Sequence, residues 1–84
     1  MYAYFQGTLT AVTDTAAVVE CSGIGYRIFA TKRFLESAPV GERVKLYTHL
    51  IVREDELSLY GFESEEGRMM FERLIGVSGV GQVL

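Results

Sequence analysis

Short apolar runs separated by small polar turns fill the chain as far as Phe62, and the spacing then becomes helical. Residues 4–12, YFQGTLTAV, predict a strand in which Leu9 and Ala11 alternate with Thr8 and Thr10. Thr13-Asp14-Thr15 is a turn of small polar residues. A second strand follows over Ala16–Cys21, rich in β-branched residues through Val18 and Val19. Ser22-Gly23-Ile24-Gly25 supplies a tight glycine turn, where positive φ carries no penalty. Tyr26–Ala30 returns as a strand with Tyr26, Ile28 and Ala30 on one face and Arg27 and Phe29 on the other. Thr31 caps a short helical turn, Lys32–Ser37, which Pro39 and Gly41 end.

The longest patterned stretch is Leu46–Phe62, LYTHLIVREDELSLYGF. Glu42–Val52 reads as one long strand, with Leu46, Thr48, Leu50 and Val52 on one side and Tyr47, His49 and Ile51 on the other. Leu57–Phe62 pairs back across Arg53-Glu54-Asp55-Glu56. No Asn-Gly or Asp-Gly marks a two-residue turn there, so a four-residue loop, or long strands whose tip projects beyond the sheet, is expected. Both sides of Glu42–Val52 are largely apolar, which is more than a sheet with one wet face needs. One side fills a barrel; the second requires a helix or another subunit. Five or six short strands at this spacing predict a mainly β, small barrel.

From Ser64 the period is helical, with Met70, Phe71, Leu74 and Ile75 forming an apolar stripe expected to be core, joining the barrel to the next domain. Ser64 is a good N-cap, and Glu65 and Glu66 suit the positive end of the helix dipole. Gly67 stands where a capping box needs Glu or Gln. The chain closes on Val77-Ser78-Gly79-Val80-Gly81-Gln82-Val83-Leu84, a glycine turn followed by resumed apolar residues. That pattern predicts the first half of a helix–hairpin–helix, with the sequence stopping inside it. The expected division is therefore a barrel over 1–63, then a linking helix and an incomplete second unit over 64–84.

Composition narrows the chemistry. At 84 residues, 49% hydrophobic and 23% charged, the chain is globular and builds one compact core. Its net charge of −3 argues against a general basic footprint for nucleic acid. Lone Cys21 excludes an internal disulfide framework and suits a reducing cytosol. No run reaches the length of a membrane span, and Tyr2–Phe5 is too short for a signal peptide. Tyr4-Phe5-Gln6-Gly7 has the look of a cleaved tag, yet it leads straight into a strand and is read as native. No phosphate-binding loop of the GxxxxGK type, catalytic constellation, metal-ligand set or cofactor motif is present. His49 has no ligand-spaced neighbour and is expected to pack. Lys32 and Arg33 read as a solvated helix face.

FQGTLTAV, SGIGYRIF, LYTHLIVREDELSLYGF and LIGVSGVG together resemble the N-terminal domain of the RuvA family, which binds Holliday junctions within the bacterial RuvAB branch-migration machine. The likeness runs over nearly the whole chain; Gln82 stands where the family usually has Pro. It implies an OB-fold barrel assembling as a homotetramer, cytoplasmic, non-catalytic, and acting in recombination and repair. It places an acidic pin at Glu54 and Asp55 and a phosphate-binding hairpin at Ser78, Gly79, Val80 and Gly81. Tyr47, His49 and Ile51 are the expected subunit contacts. The implied partners are four-way junction DNA, the RuvB motor ATPase and the RuvC resolvase, with no membrane and no cofactor.

Plainer readings stand beside these. An acidic tip can merely keep a hairpin end soluble or blunt a strand edge. Gly79-Val80-Gly81 can be a helix cap and turn. A generic single-strand-binding OB-fold would need stacking aromatics on a basic face, for which Tyr26 and Phe29 beside Arg27 are the candidates. A protein-interaction barrel with no nucleic-acid role is the remaining alternative.

Overall fold

The structure, a computed structural model, describes residues 2–76, so Ser78, Gly79, Val80 and Gly81 lie outside the described residues. The elements are β1 (Tyr4–Val12), β2 (Ala16–Cys21), β3 (Ile24–Ala30), α1 (Lys32–Glu36), β4 (Arg43–Arg53), β5 (Glu56–Phe62) and α2 (Glu65–Leu74). The five strands close into a barrel in the order β1-β2-β3-β5-β4, with β1 returning to β4. All neighbours are antiparallel except β3 and β5, which α1 and β4 separate in sequence. This is the small OB-type barrel that the strand spacing and the resemblance led us to expect, with five strands.

Leu9, Ala17, Val19, Ile28 and Leu46 are fully buried inside, and Phe34 from α1 joins them. Tyr26 packs inward on Phe5, with ring centroids 4.4 Å apart. So narrow an interior needs small residues at its tightest points: a Cβ at Gly61 would lie 2.6 Å from Ile28 Cγ2. Thr48 is a polar residue in this interior, and its hydroxyl donates to the Tyr2 carbonyl at 2.8 Å.

Local chemistry sets the connections. Thr13 Oγ1 accepts from the Ala16 amide at 3.0 Å, holding the first turn. Thr31 and Ser64 cap their helices by accepting from Phe34 N and Gly67 N at 3.1 and 3.0 Å. The β2–β3 turn is Ser22-Gly23 alone, both with positive φ (52° and 85°), and β3 resumes at Ile24. That is the backbone signature of a type I′ hairpin, whose twist matches the strands it joins.

Three expectations need correction. β1 does not alternate throughout: Leu9 pairs Val19 but Ala11 pairs Val18, so Thr10 is bulged. The extra residue turns Ala11 out to solvent and brings Val12 against the core. The hairpin between β4 and β5 has a two-residue connection, Glu54-Asp55, because pairing continues to Arg53↔Glu56. Neither Glu54 nor Asp55 has positive φ, so it is not one of the primed turns. Lastly, only Phe71 of the Met70, Phe71, Leu74 and Ile75 stripe packs on the barrel, and the following unit that the stripe is expected to join lies outside the described residues. Met70, Leu74 and Ile75 are exposed at 61, 80 and 44%, and Phe71 carries the packing. The face turned to the barrel is Gly67, Arg68, Phe71 and Glu72, because ionic and aromatic partners on β4 and β5 select it.

Candidate functional site

β4 leaves the barrel. Its last pair with β1 is Tyr47↔Tyr4, whereas its pairing with β5 runs on from Tyr47↔Phe62 to Arg53↔Glu56. Residues 49–53 thus form one side of a two-stranded arm, about 17 Å long at strand rise. Directly paired residues share a side. The inner side carries Leu50↔Leu59 and Val52↔Leu57; the outer side carries His49↔Tyr60, Ile51↔Ser58 and Arg53↔Glu56. Val52 and Leu57 are 64 and 74% exposed, so apolar surface lies directly behind the charged tip.

The four tip charges divide into two kinds. Arg53 Nη1 lies 3.5 Å from Glu56 Oε1, and Ser58 Oγ donates to Glu56 Oε2 at 2.8 Å. Glu56 is therefore engaged within the arm. Glu54 and Asp55 are exposed at the turn and have no ion pair or side-chain hydrogen bond among the described residues. The two carboxylates are directed to solvent by a backbone that two strands hold.

At the arm's root, α2 covers the outer side. Phe71 stacks on Tyr60 (5.4 Å), tilts against Phe62 (5.1 Å) and meets His49 edge-on (5.8 Å). His49 Nδ1 is 2.9 Å from Glu72 Oε2, which also accepts from Arg68 Nη1 at 3.1 Å. A carboxylate accepts only, so this pair places a proton on Nδ1. A Cβ at Gly67 would sit in ordinary contact with Phe62 Cβ at 3.4 Å, so α2 lies directly against the end of β5. The cover that β4's second side requires is thus the chain's own helix at His49. Tyr47 lies beside Tyr4 and Lys45, and Ile51 is half-buried on the arm. Sequence reasoning passed over Glu72 and Lys45 because His49 and Tyr4 are remote from them in the chain, and over Arg68 because it joins this cluster through Glu72.

Glu72→Ala leaves His49 Nδ1 facing no acceptor and leaves Arg68, whose Nε is already buried without a partner among the described residues, only the longer 3.7 Å contact with Glu65. We expect a loss of about 1–3 kcal/mol. A domain of this size then melts about 4–8 °C lower per kcal/mol. Glu72→Gln keeps an acceptor oxygen and recovers much of the loss. An unchanged melting temperature for Glu72→Ala in thermal denaturation would show that the network contributes nothing.

Among the described residues, no three His, Cys, Asp or Glu side chains gather as a metal site requires. Nor is any described helix long and apolar enough to cross a membrane. A concavity of about 770 Å³ is lined by Val12, Phe29, Leu35 and Tyr60 with Lys32 and Glu36, and excludes the tip.

Fold and site together define a class: a small closed OB-type barrel with a projecting hairpin arm tipped by two free carboxylates. The family model described as RuvA N terminal domain matches residues 1–61, and the chain belongs to that family. Curated relatives agree. The chain is 51% identical over 85 residues to the Holliday junction branch migration complex subunit RuvA of Chlorobium luteolum, covering 100% of this chain and 42% of that one. The subunit of the same name from Alkaliphilus oremlandii is 47% identical over 81 residues, with 96 and 42% covered. That from Streptococcus pneumoniae is 42% identical over 83 residues, with 99 and 42% covered. The chain thus spans about 42% of the length of these relatives.

Proposed function

We propose that this chain is the N-terminal part of a non-catalytic subunit that binds four-way DNA junctions and serves branch migration in recombination and repair. The observation that carries the reading is the pair of unpartnered carboxylates, Glu54 and Asp55, at the end of a braced arm in a member of this family. In a four-fold assembly each copy brings this pair to the symmetry axis, where the strands of an open junction exchange. Phosphates are repelled there by about 1 kcal/mol per close pair in water, and by more where water is excluded. Repulsion keeps the strands apart and disfavours continuous duplex through the centre. Selectivity for shape results, without any reading of bases.

The remaining parts follow the same reading. Ser78, Gly79, Val80 and Gly81, outside the described residues, are assigned by it to binding one phosphate through backbone N–H groups. Subunit contacts lie on the arm, where Ile51, Val52 and Leu57 offer apolar surface; His49 supports the arm from beneath α2. ATP hydrolysis belongs to a separate motor, RuvB, and strand cutting to RuvC, in the bacterial cytoplasm. The single-strand-binding alternative loses its candidates, since Tyr26 packs on Phe5 and Phe29 on Tyr60.

The test is Glu54→Gln with Asp55→Asn in the intact protein. Affinity for plain duplex should rise about five- to tenfold, as about 1 kcal/mol of repulsion is removed. Affinity for the four-way junction should change much less. Equal relative affinities for parent and variant, in gel-shift titrations at one salt concentration, would remove the pin from the mechanism.

A further inference from the structure

On the outside of the barrel β4 carries two cations, Arg43 and Lys45, with the exposed Glu20 of β2 lying beyond Thr8 at the edge of the same face. β1 and β4 pair as Tyr4↔Tyr47, Gln6↔Lys45 and Thr8↔Arg43. Their neighbours Phe5, Gly7 and Leu46 point into the barrel, so these side chains share the outside. Lys45 Nζ sits 4.2 Å from the centre of the Tyr4 ring and 5.1 Å from that of Tyr47, and Tyr4 is 50% exposed. Arg53 and Arg68 are held by carboxylates, whereas Arg43 and Lys45 have no ion pair among the described residues. Aromatic rings position an ammonium without neutralising it. The charge and its N–H donors therefore remain available to an anion.

We propose that this outward face, Arg43, Lys45, Gln6, Tyr4 and Tyr47, is a contact site for the phosphate backbone of a DNA strand. Arg43 and Lys45 stand two residues apart on one strand, about 7 Å. That spacing is comparable to successive phosphates on an extended chain. The Tyr4 ring is placed to pack on a sugar or base, and Gln6 is a further donor to phosphate oxygen. β4 thus carries an attractive face at one end and the repulsive pair Glu54-Asp55 about 30 Å further along. A strand turned away from the tip has a cationic surface to lie on. The site rests on the proposed function only for the identity of the polymer.

The experiment is a salt titration of four-way-junction affinity with the intact protein carrying Arg43→Ala, Lys45→Ala or both. Each lost phosphate contact lowers the slope of log affinity against log salt by about 0.7–0.9, and the double variant by about twice that. Lys45→Arg should keep the parent slope. Light-scattering mass and melting temperature are measured alongside, and both should be unchanged because Arg43 and Lys45 are exposed. An unchanged slope overturns the site. So does a weakened affinity accompanied by loss of oligomer mass, which would make this face a subunit interface. The pin reading is judged separately: it depends on the ratio of junction to duplex affinity for the Glu54 and Asp55 variant. Either result can fail while the other stands.

Discussion

A single methyl group added at Gly7 is expected to lower the melting temperature by roughly 12–24 °C, the equivalent of about 3 kcal/mol, or to prevent folding. The Cβ would lie 2.2 Å from the Glu20 carbonyl oxygen, 2.9 Å from its carbon and 3.0 Å from Cys21 Sγ. Glu20 cannot retreat, because it is paired to Thr8 on one side and Gly25 on the other. A flexible side chain could rotate away; a backbone carbonyl within a closed barrel moves only with its sheet. Gly25→Ala is the control. Its Cβ meets Val18 Cγ1 at 3.2 Å, a side-chain contact that a small shift relieves, so its cost is much smaller. Thermal denaturation followed by circular dichroism compares the two. Equal melting temperatures for both variants would mean that β1 and β2 are not held this close.

The second large effect is on DNA selectivity. Glu54→Lys with Asp55→Lys takes the formal charge of the tip from −2 to +2, since each substitution changes it by two. On the proposed function, with the tips meeting at the axis of a four-fold assembly, this converts repulsion of phosphate into attraction. The swing per close pair is about 2 kcal/mol in water, and salt screening moderates the sum over both residues. Affinity for continuous duplex should rise about 10- to 100-fold, erasing most of the preference for junctions. Because Glu54 and Asp55 make no ion pair or side-chain hydrogen bond among the described residues, the fold should tolerate the change. Competition between a four-way junction and a duplex of equal length, at fixed salt, measures it. A preserved preference would show that the tip does not face DNA.

These two predictions draw on different levels of information. Glu54 and Asp55 are legible in the sequence as uncompensated charges between two apolar runs. What the sequence left open was which of the four tip charges are free. Arg53 and Glu56 are cross-strand partners, and that pairing exists once the turn is known to contain two residues. The missing Asn-Gly or Asp-Gly signal left a four-residue loop and long strands with a projecting tip as alternatives, and the projecting strands are what forms, with two residues at the turn. That signal marks turns with positive φ, as Ser22-Gly23 adopts, and this turn does without it. Gly7, in contrast, gives no warning in the sequence. A glycine in a strand reads as a weak point until the Glu20 carbonyl is seen beside it.

The α2 stripe shows why periodicity alone misplaces a helix face. Met70, Phe71, Leu74 and Ile75 are the apolar set, and hydrophobicity would bury all four. The surface offered by the barrel is instead part aromatic and part ionic, through Tyr60, Phe62 and His49. Glu72 finds a partner there in His49, Arg68 pairs with Glu72 along the helix, and α2 turns to bring them in with Phe71. The same limit applies to Lys45. Its place on the outside of β4 follows from alternation, but its position over Tyr4 depends on β1 closing the barrel.

By itself, the sequence determined what local interactions control. The approximate strand and helix positions, the caps at Thr31 and Ser64, a glycine turn within Ser22–Gly25 and the acidic tip all depend on residues within a few positions of one another. Pairing of Cys21 with Ile24 then shortens that turn to Ser22-Gly23. Tertiary structure decided what depends on distant pairing. It set the bulge at Thr10, the short turn behind a long charged arm, the helix face that braces this arm, and the sorting of charges into paired and free. The physical reason is register: Tyr4 against Tyr47, Arg53 against Glu56 and His49 against Glu72 are fixed by closing one barrel and docking one helix on it.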